Sequence, residues 1–309
     1  MMAQPDRILP GVAMMIGFCA IAPLIDVCAK LATDAIPAAQ VTLARFAVQG
    51  AVMVPIMLAL RLSWALSRRA LWLTFLRALV LIASTFTFIS AVHVMPIADA
   101  LAIAFVEPFI ILLVGKFFMA EQVGPRRLGA AVVGFGGALM VIQPSFAAYG
   151  LAALFPLGTA VSFAFYILIT RQLSRLSHPI AMQTHTATFA TVLLLPILWL
   201  SDGSAVDWLD PVWPQGIFWL WLVGVGVAAA VSHMFITYAL QYAPSSTLAP
   251  LHYLEIVSAV ALGYLVFGDF PDAMTWAGIV VICASGLYVI YRERVTLNAV
   301  RATVPPLVH

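Results

Sequence analysis

The sequence predicts an all-α integral membrane protein in which ten transmembrane helices form two five-helix inverted repeats around a central cavity. Three observations predict this fold class: the composition, the charges of the loops and a repeat between the two halves of the chain. The 309 residues are 63% hydrophobic and 9% charged, and the mean hydropathy is +1.05. Soluble domains carry about 25% charged residues. A chain as apolar as this one cannot bury all its apolar surface in a water-soluble core, and it therefore requires a lipid bilayer.

Ten apolar runs of about 20 residues, the length that crosses a bilayer, define the predicted spans. The first run, 9–30, also resembles a signal peptide with a small-residue cleavage site. We interpret it as a retained span, because Pro23 follows this site directly and the apolar run continues beyond it. The other nine predicted spans are 39–60, 70–92, 97–118, 127–143, 149–171, 180–200, 216–240, 245–267 and 273–291.

The loops separate by charge when the N-terminus is placed in the cytoplasm. The outer loops then hold acidic residues and neither Lys nor Arg: Asp34, Asp202, Asp207, Asp210, Asp269 and Asp272. The inner segments hold most of the basic residues: Arg7, Arg61, Arg68, Arg69, Lys116, Arg126, Arg127, Arg171, Arg175, Arg292, Arg294 and Arg301. Lys and Arg in short loops favour the cytoplasmic side. Both termini, including a tail at 292–309, are therefore predicted to be cytoplasmic, which requires an even number of spans.

The second half of the chain repeats residues of the first at an offset of 148 positions. The matching residues are Ala91 and Ala239, Pro96 and Pro244, Glu107 and Glu255, Gly115 and Gly263, and Glu121 and Asp269. The repeat units are predicted at 9–143 and 149–291. Because each unit has five spans, an odd number, the second unit is inverted relative to the first, as in many secondary transporters.

Glu107 and Glu255 are the leading candidates for the functional site. Each lies about 10 residues into its span, which places both carboxylates near the membrane midplane. An ionised carboxylate there costs about 2.5–3.5 kcal/mol, so an intramembrane Glu is a functional candidate by default. We predict substrate binding or proton coupling for the pair; the alternative is a neutral carboxyl that joins two helices. Pro108 leaves a carbonyl near Ala104 without its helical donor, which predicts a bend beside Glu107.

His252 and Tyr253 form a second candidate group next to Glu255. His252 precedes Glu255 by three residues, so the two side chains share a helix face. Pro250 kinks the same span, and the group is suited to a planar ligand with hydrogen-bonding edges. The alternative for His252 is a buried histidine of the core.

Asp26, Arg45 and Asp99 lie in the outer thirds of their spans and predict a charged vestibule that admits a polar ligand. The alternative is a structural charge network, in which Lys30 pairs with Asp26 at the favourable spacing of four residues or extends to the interface. Arg77, one or two turns inside its span, is predicted to extend to the interface in the same way.

Aromatic side chains are frequent in four of the predicted spans: Phe86, Phe88, Phe105, Phe163, Phe165, Tyr166, Phe235 and Tyr238. Tyr166 and Tyr238 are included as candidate site residues, since some of this set is expected to face the cavity and stack on a planar ligand, while the others face lipid or core. The glycines of the fifth span, which are expected to permit close helix packing, are Gly129, Gly134, Gly136 and Gly137.

Several of these motifs together resemble the drug/metabolite transporter superfamily, specifically the ten-helix EamA-type proteins. They are Phe88-Ile89-Ser90-Ala91, Met95-Pro96, Glu107-Pro108, Glu121, Gly129 and Gly134-Phe135-Gly136-Gly137. The resemblance covers about residues 10–290 and implies five-plus-five inverted helices around a central cavity. The stretch from Met95 through Glu107 to Gly124 is also similar to a bacterial branch that includes riboflavin transporters and S-adenosylmethionine carriers.

The resulting functional expectation is a secondary transporter of the bacterial inner membrane that moves a small, polar, aromatic metabolite by alternating access. Riboflavin, taken up into the cell, is the first expected substrate; the alternative is an exporter or exchanger of amino acids or S-adenosylmethionine. We expect no enzyme, since no nucleophile–base constellation or nucleotide-binding loop is present. Three cysteines show no metal or disulfide spacing. We predict no cofactor, metal or nucleic-acid partner; the expected partners are the small-molecule substrate and the lipid bilayer, and a homodimer is compatible with the sequence.

Overall fold

The computed structural model describes residues 7–95, 97–118, 123–142, 150–204, 206–268 and 272–303, and every regular element in these ranges is helical. The α-helices are α1 Ile8–Ile21, α2 Pro23–Thr33, α3 Ala38–Ala59, α4 Arg68–Val94, α5 Ile97–Ala104, α6 Glu107–Phe118, α7 Pro125–Ile142, α8 Leu154–Leu173, α9 Pro179–Leu200, α10 Phe218–Tyr242, α11 Ser245–Leu248, α12 Glu255–Phe267 and α13 Ala273–Thr303. Two 3₁₀ segments, Gly150–Ala153 and Ala249–Leu254, precede α8 and α12.

Eight helical stretches among the described residues are long and apolar enough to cross a bilayer. They are Ile8–Thr33, Ala38–Ala59, Arg68–Val94, Gly150–Leu173, Pro179–Leu200, Phe218–Tyr242, Ser245–Val266 and Ala273–Arg292. The two predicted spans outside this set fall on the α5–α6 pair, of 8 and 12 residues, and on the 18-residue α7. The chain is an all-helical, multi-pass membrane protein, and the arrangement of ten spans in two inverted repeats stays a prediction.

The predicted bend near Pro108 is a complete break of the helix. Helix α5 ends at Ala104 and α6 begins at Glu107, because the proline nitrogen cannot donate to the preceding turn. The second half has a break at the matching place, where the 3₁₀ segment Ala249–Leu254 ends and α12 begins at Glu255. Each carboxylate therefore opens a helix, where the positive end of the helix dipole favours negative charge.

The two halves of the chain interlock rather than pack as separate bundles. The most extensive helix pairs are α7 with α13, α4 with α8, α1 with α10 and α3 with α9. Each of these pairs joins one helix from the first half to one from the second. A site at the boundary between the halves is therefore built from both.

The ends of the helices define two faces of the bundle. Helix α1 begins where α10 ends, since the Arg7 nitrogen donates to the Tyr242 oxygen at 2.8 Å. Helix α3 begins beside the loop after α9, since the Ala39 nitrogen donates to the Trp208 oxygen at 3.2 Å. We call the first of these ends the arginine face and the second the aspartate face, after the charges of their loops. The cytoplasmic location of the arginine face stays a prediction.

Close helix packing is confirmed for two of the four glycines of α7. A Cβ at Gly137 would lie 3.0 Å from the carbonyl oxygen of Gly278 on α13, and one at Gly134 would lie 2.5 Å from the Tyr253 ring. For Gly129 and Gly136 the prediction is wrong, because nothing lies within 4 Å of their added Cβ atoms.

The two neighbouring glycines of α7 provide a matched test of this packing. We expect Gly137→Ala to destabilise the protein by ~1–3 kcal/mol, because the added methyl group overpacks against the α13 backbone. The measurement is the midpoint of thermal unfolding in detergent, followed by tryptophan fluorescence. Gly136→Ala, which has open space around it, is the control and is expected to keep the wild-type midpoint. Equal midpoints for the two variants would contradict the close contact.

Candidate functional site

A cavity of about 110 Å³ lies between the two halves of the chain, which is room for several water molecules at ~10–15 Å³ each. Four of the predicted site residues line it: Asp26, Arg45, Glu107 and Glu255. The other polar residues of its wall are Ser84, Thr85, Thr159 and His233, and the aromatic ones are Phe18, Phe88, Phe105 and Phe163. The cavity therefore combines both signs of charge with an aromatic surface.

The acidic side of the cavity carries three carboxylates from three helices. Asp26 comes from α2, and the helix breaks place Glu107 and Glu255 at the starts of α6 and α12. Glu107 is 6% exposed, and the Nδ1 atom of His252 lies 3.1 Å from its Oε1. This approach falls short of hydrogen-bond geometry, so Oε1 has no hydrogen-bond donor within the described ranges. The Glu107 carboxylate is thus available to a further donor.

The basic side of the cavity is formed by Arg45 of α3, which is 3% exposed. Its guanidinium donates to the Thr85 hydroxyl and, at 2.7 Å, to Nε2 of His233, and it lies 4.9 Å from the Phe46 ring centroid. A guanidinium has no acceptor, so Nε2 of His233 must be unprotonated and the imidazole proton must lie on Nδ1. Of the described residues that line the cavity, Arg45 is the one permanent cation.

An aromatic cluster forms the wall beside Glu107. The Phe18 ring stacks at 5.5 Å and 25° on His252 and at 6.5 Å and 22° on Phe163. Phe18 and Phe163 both line the cavity, whereas His252 lies behind them. Such a wall is suited to a flat ligand, because stacked aromatic rings add to the energy of apolar burial.

The other predicted site residues lie away from the cavity surface. The Tyr253 hydroxyl donates to the Phe105 oxygen at 3.2 Å, and the hydroxyl of the fully buried Tyr166 accepts from Nδ1 of His233 at 2.7 Å. Tyr238 stacks on Tyr242 near the arginine face. The side chain of Asp99 lies outside the described residues. The site roles of these residues stay predictions.

The charge network predicted for Asp26 and Lys30 in the outer third of their span takes a different form. Lys30 does not pair with Asp26; its Nζ atom donates to the Val92 oxygen at the end of α4, at 3.1 Å. Asp26 instead faces the cavity. The lysine therefore joins α2 to α4 and leaves the aspartate for the site.

Sequence reasoning missed Phe18 and Thr85, and its interpretation of Arg77 was wrong. Arg77 does not extend to the interface; it is fully buried and donates to the hydroxyl groups of neighbouring helices. The available signal was its depth, nine residues from the start of α4, which is further than the side chain reaches towards the surface. The partners of His233, Arg45 and Tyr166, could not be predicted, because they lie on other helices.

The arrangement is suited to binding rather than to bond chemistry. Opposite charges face the same cavity, and the helix breaks that hold the carboxylates are typical of transporter sites at the boundary of two halves. Among the described residues, no group of three His, Cys, Asp or Glu side chains could hold a metal ion.

A multi-pass helical protein with a charged cavity between its halves has the architecture of a membrane transporter. Comparison with known families agrees: residues 9–143 and 150–292 each match the EamA-like transporter family. The chain belongs to this family, within the drug/metabolite transporter superfamily.

Similar proteins carry several substrate names. A riboflavin transporter from Brucella anthropi is 30% identical over 201 residues, covering 64% of this chain and 69% of the relative. The pseudopaline exporter CntI from Pseudomonas aeruginosa PAO1 is 28% identical over 258 residues, covering 82% of this chain and 87% of the relative. A crystal structure with 22% identity superposes with a TM-score of 0.73 over 94% of this chain and 99% of the other, which supports the fold.

Proposed function

We propose that the protein is a secondary transporter of the bacterial inner membrane, with both termini in the cytoplasm, that takes up riboflavin by alternating access. The observation that carries this proposal is the cavity between the two halves, with three carboxylates, one guanidinium and an aromatic wall. Transport, not catalysis, is its activity. The two repeats rock about this cavity and expose it to each side in turn.

The cavity chemistry suits a flat, polar, uncharged ring system. Phe18 and Phe163 provide a stacking surface, Arg45 donates hydrogen bonds and Glu255 accepts them. An isoalloxazine ring offers carbonyl oxygens and an N–H group at one edge, so it can satisfy both types of residue. The riboflavin transporter among the relatives supports the same substrate. Glu107 and Glu255 are the proposed sites of proton coupling.

The second candidate is an exporter or exchanger of amino acids or S-adenosylmethionine. A zwitterionic substrate would pair its carboxylate with Arg45 and its cationic group with Glu255 or Asp26, which lie in the same cavity. The relative named as a pseudopaline exporter favours the outward direction. A homodimer stays compatible with either function and is tested by light scattering of the purified protein.

Growth rescue of a riboflavin auxotroph tests the proposed substrate. Cells that lack riboflavin synthesis and carry this gene are expected to grow at low external riboflavin, whereas cells with an empty vector are not. Membrane expression is verified by immunoblot, so that a negative result can be interpreted. Failure of well-expressed protein to rescue growth rejects riboflavin uptake, and efflux of labelled S-adenosylmethionine or amino acids from loaded proteoliposomes then tests the second candidate.

A further inference from the structure

Arg77 is a buried cation whose hydrogen-bond partners are hydroxyl groups. The side chain is fully buried. Its Nε donates to Thr170 at 2.8 Å, its Nη1 to Thr186 at 2.5 Å and its Nη2 to the Tyr166 hydroxyl at 2.9 Å, with Thr237 at 3.4 Å. In the described part of the chain no carboxylate forms an ion pair with it. A charge buried in a membrane protein without a counter-ion is costly, so it marks a functional group rather than a stabilising one.

Hydrogen bonds connect Arg77 to the cavity. The Tyr166 hydroxyl accepts from Arg77 and lies 2.7 Å from Nδ1 of His233, while Nε2 of His233 lies 2.7 Å from the Arg45 guanidinium. Because Arg45 only donates, the His233 proton lies on Nδ1 and points to Tyr166. The four side chains therefore form one chain of bonds with a fixed direction at His233.

Each hydrogen bond among these four side chains, except the one between Tyr166 and His233, crosses the boundary between the two halves. Arg45 and Arg77 belong to the first half, and their partners Tyr166 and His233 belong to the second. A further bond across the boundary joins the Gln49 and Gln183 side chains at 3.0 Å. Any rocking of the halves against each other must break or rearrange these bonds.

The Arg77 cluster lies between the cavity and the arginine face. On α4 the cavity is lined by residues between Leu81 and Ile89, and Arg77 lies nearer the start of the helix at that face. On α8 the cavity is lined by residues up to Phe163, and Thr170 lies nearer the end of the helix. The cluster therefore occupies the place where the halves must separate for the cavity to open to the arginine face.

We propose that Arg77 is a latch that holds the arginine face closed, and that Arg45 links this latch to occupancy of the cavity through His233 and Tyr166. The inference rests on the proposed alternating-access function. A ligand acceptor group that draws the guanidinium away from Nε2 frees the imidazole to reorient, which removes the Nδ1 donor from Tyr166. The hydroxyl cluster around Arg77 then loosens and the halves separate at that face. Arg77, Tyr166 and His233 are positioning residues in this scheme, since none of their roles requires contact with the ligand.

Hydrogen–deuterium exchange of the full-length protein in nanodiscs tests the latch without a substrate. Tyr166→Phe removes the oxygen that joins Arg77 to the imidazole of His233. We expect exchange to become ~10-fold faster at the arginine-face segments 68–77 and 166–173, because a buried donor is left unpaired and local opening becomes easier. The segment 154–158, which lies on the aspartate side of the residues of α8 that line the cavity, is expected to become more protected as that side closes. This opposite response would not follow from a general loss of stability.

Two further variants make the exchange experiment decisive. Thr170→Val removes a different partner of Arg77 and is expected to shift exchange in the same two directions. Thr74→Val is the control, because Thr74 is buried on the same helix but its hydroxyl donates only within that helix, to the Ala70 oxygen. Faster exchange on both sides of the cavity, or no change in the Tyr166→Phe protein, would overturn the latch.

Riboflavin uptake provides the second measurement. For Tyr166→Phe we expect the maximal rate to fall ~10-fold with KM within ~2-fold of the wild type, since Tyr166 acts on the change of state and does not line the cavity wall. A raised KM at an unchanged maximal rate would overturn the positioning role. Absence of riboflavin uptake by the wild type would reject the proposed substrate, and the exchange pattern would then decide the latch alone.

Discussion

Arg45→Met is expected to lower the maximal rate of riboflavin uptake about 100-fold. This estimate corresponds to a loss of ~2–3 kcal/mol, typical of breaking a buried charged hydrogen-bond pair. The substitution removes the permanent cation among the described residues of the cavity wall and leaves Nε2 of His233 without its donor. It also leaves three carboxylates facing one another without a positive charge. Uptake of labelled riboflavin into proteoliposomes, normalised to reconstituted protein, measures the effect.

Two further substitutions separate charge from geometry in this experiment. Arg45→Lys keeps the charge but cannot donate to Thr85 and His233 at the same time, because an ammonium group on a single stem lacks the fork of a guanidinium. Its uptake rate is expected to lie between those of the wild type and Arg45→Met. Arg175→Met removes an exposed arginine at the arginine face and serves as the control. Uptake by Arg45→Met within twofold of the control would contradict a role for Arg45 at the site.

The two glutamates of the cavity could be predicted from the sequence, because the repeat relates their positions; their depth at the membrane midplane stays a prediction. The helical rise and the repeat offset predicted Glu107 and Glu255 at the midplane, and both line the cavity. The sequence predicted a bend beside Glu107 from Pro108 and a kink in the span of Glu255 from Pro250. Pro250 lies within the 3₁₀ segment Ala249–Leu254, which ends directly before Glu255.

The rotation of each helix about its axis could not be predicted in the same way. In a soluble helix the polar face identifies the buried face, but lipid and protein core both accept apolar side chains, so the pattern loses this information. Phe165, expected among the candidates for the cavity, is 43% exposed on the outside of the bundle, while the unpredicted Phe18 faces the cavity. The partners of Arg77 were hidden for a related reason: they come from helices of the other half, and only the packed structure brings their hydroxyls together.

Glu255→Gln is expected to abolish the pH dependence of riboflavin uptake and to lower the uptake rate about 10-fold. The reason is that an amide cannot bind and release the coupling proton that an intramembrane carboxylate carries. Proton-coupled uptake by the wild type should accelerate as the external pH is lowered from about 8 to about 5.5, the range in which coupling carboxylates and histidines titrate. Glutamine keeps the shape of glutamate and one acceptor oxygen, but its amide group cannot bind and release a proton in this pH range. The measurement is the initial uptake rate across this range, with Asp207→Asn, at an exposed loop residue of the aspartate face, as the control.

The two halves should respond differently to the same change, because the surroundings of the two glutamates differ. Glu107 lies 3.1 Å from His252, whereas the residue of the first half that matches His252 is Ala104, which has no imidazole to offer Glu255. Glu107→Gln is therefore expected to reduce the rate while retaining part of the pH dependence, since Glu255 remains open to the cavity. Identical pH profiles for the two variants would show that the pair acts symmetrically. A Glu255→Gln protein with the wild-type profile would remove this residue from coupling, and its carboxylate would then serve to bind the substrate or to join α12 to its neighbours.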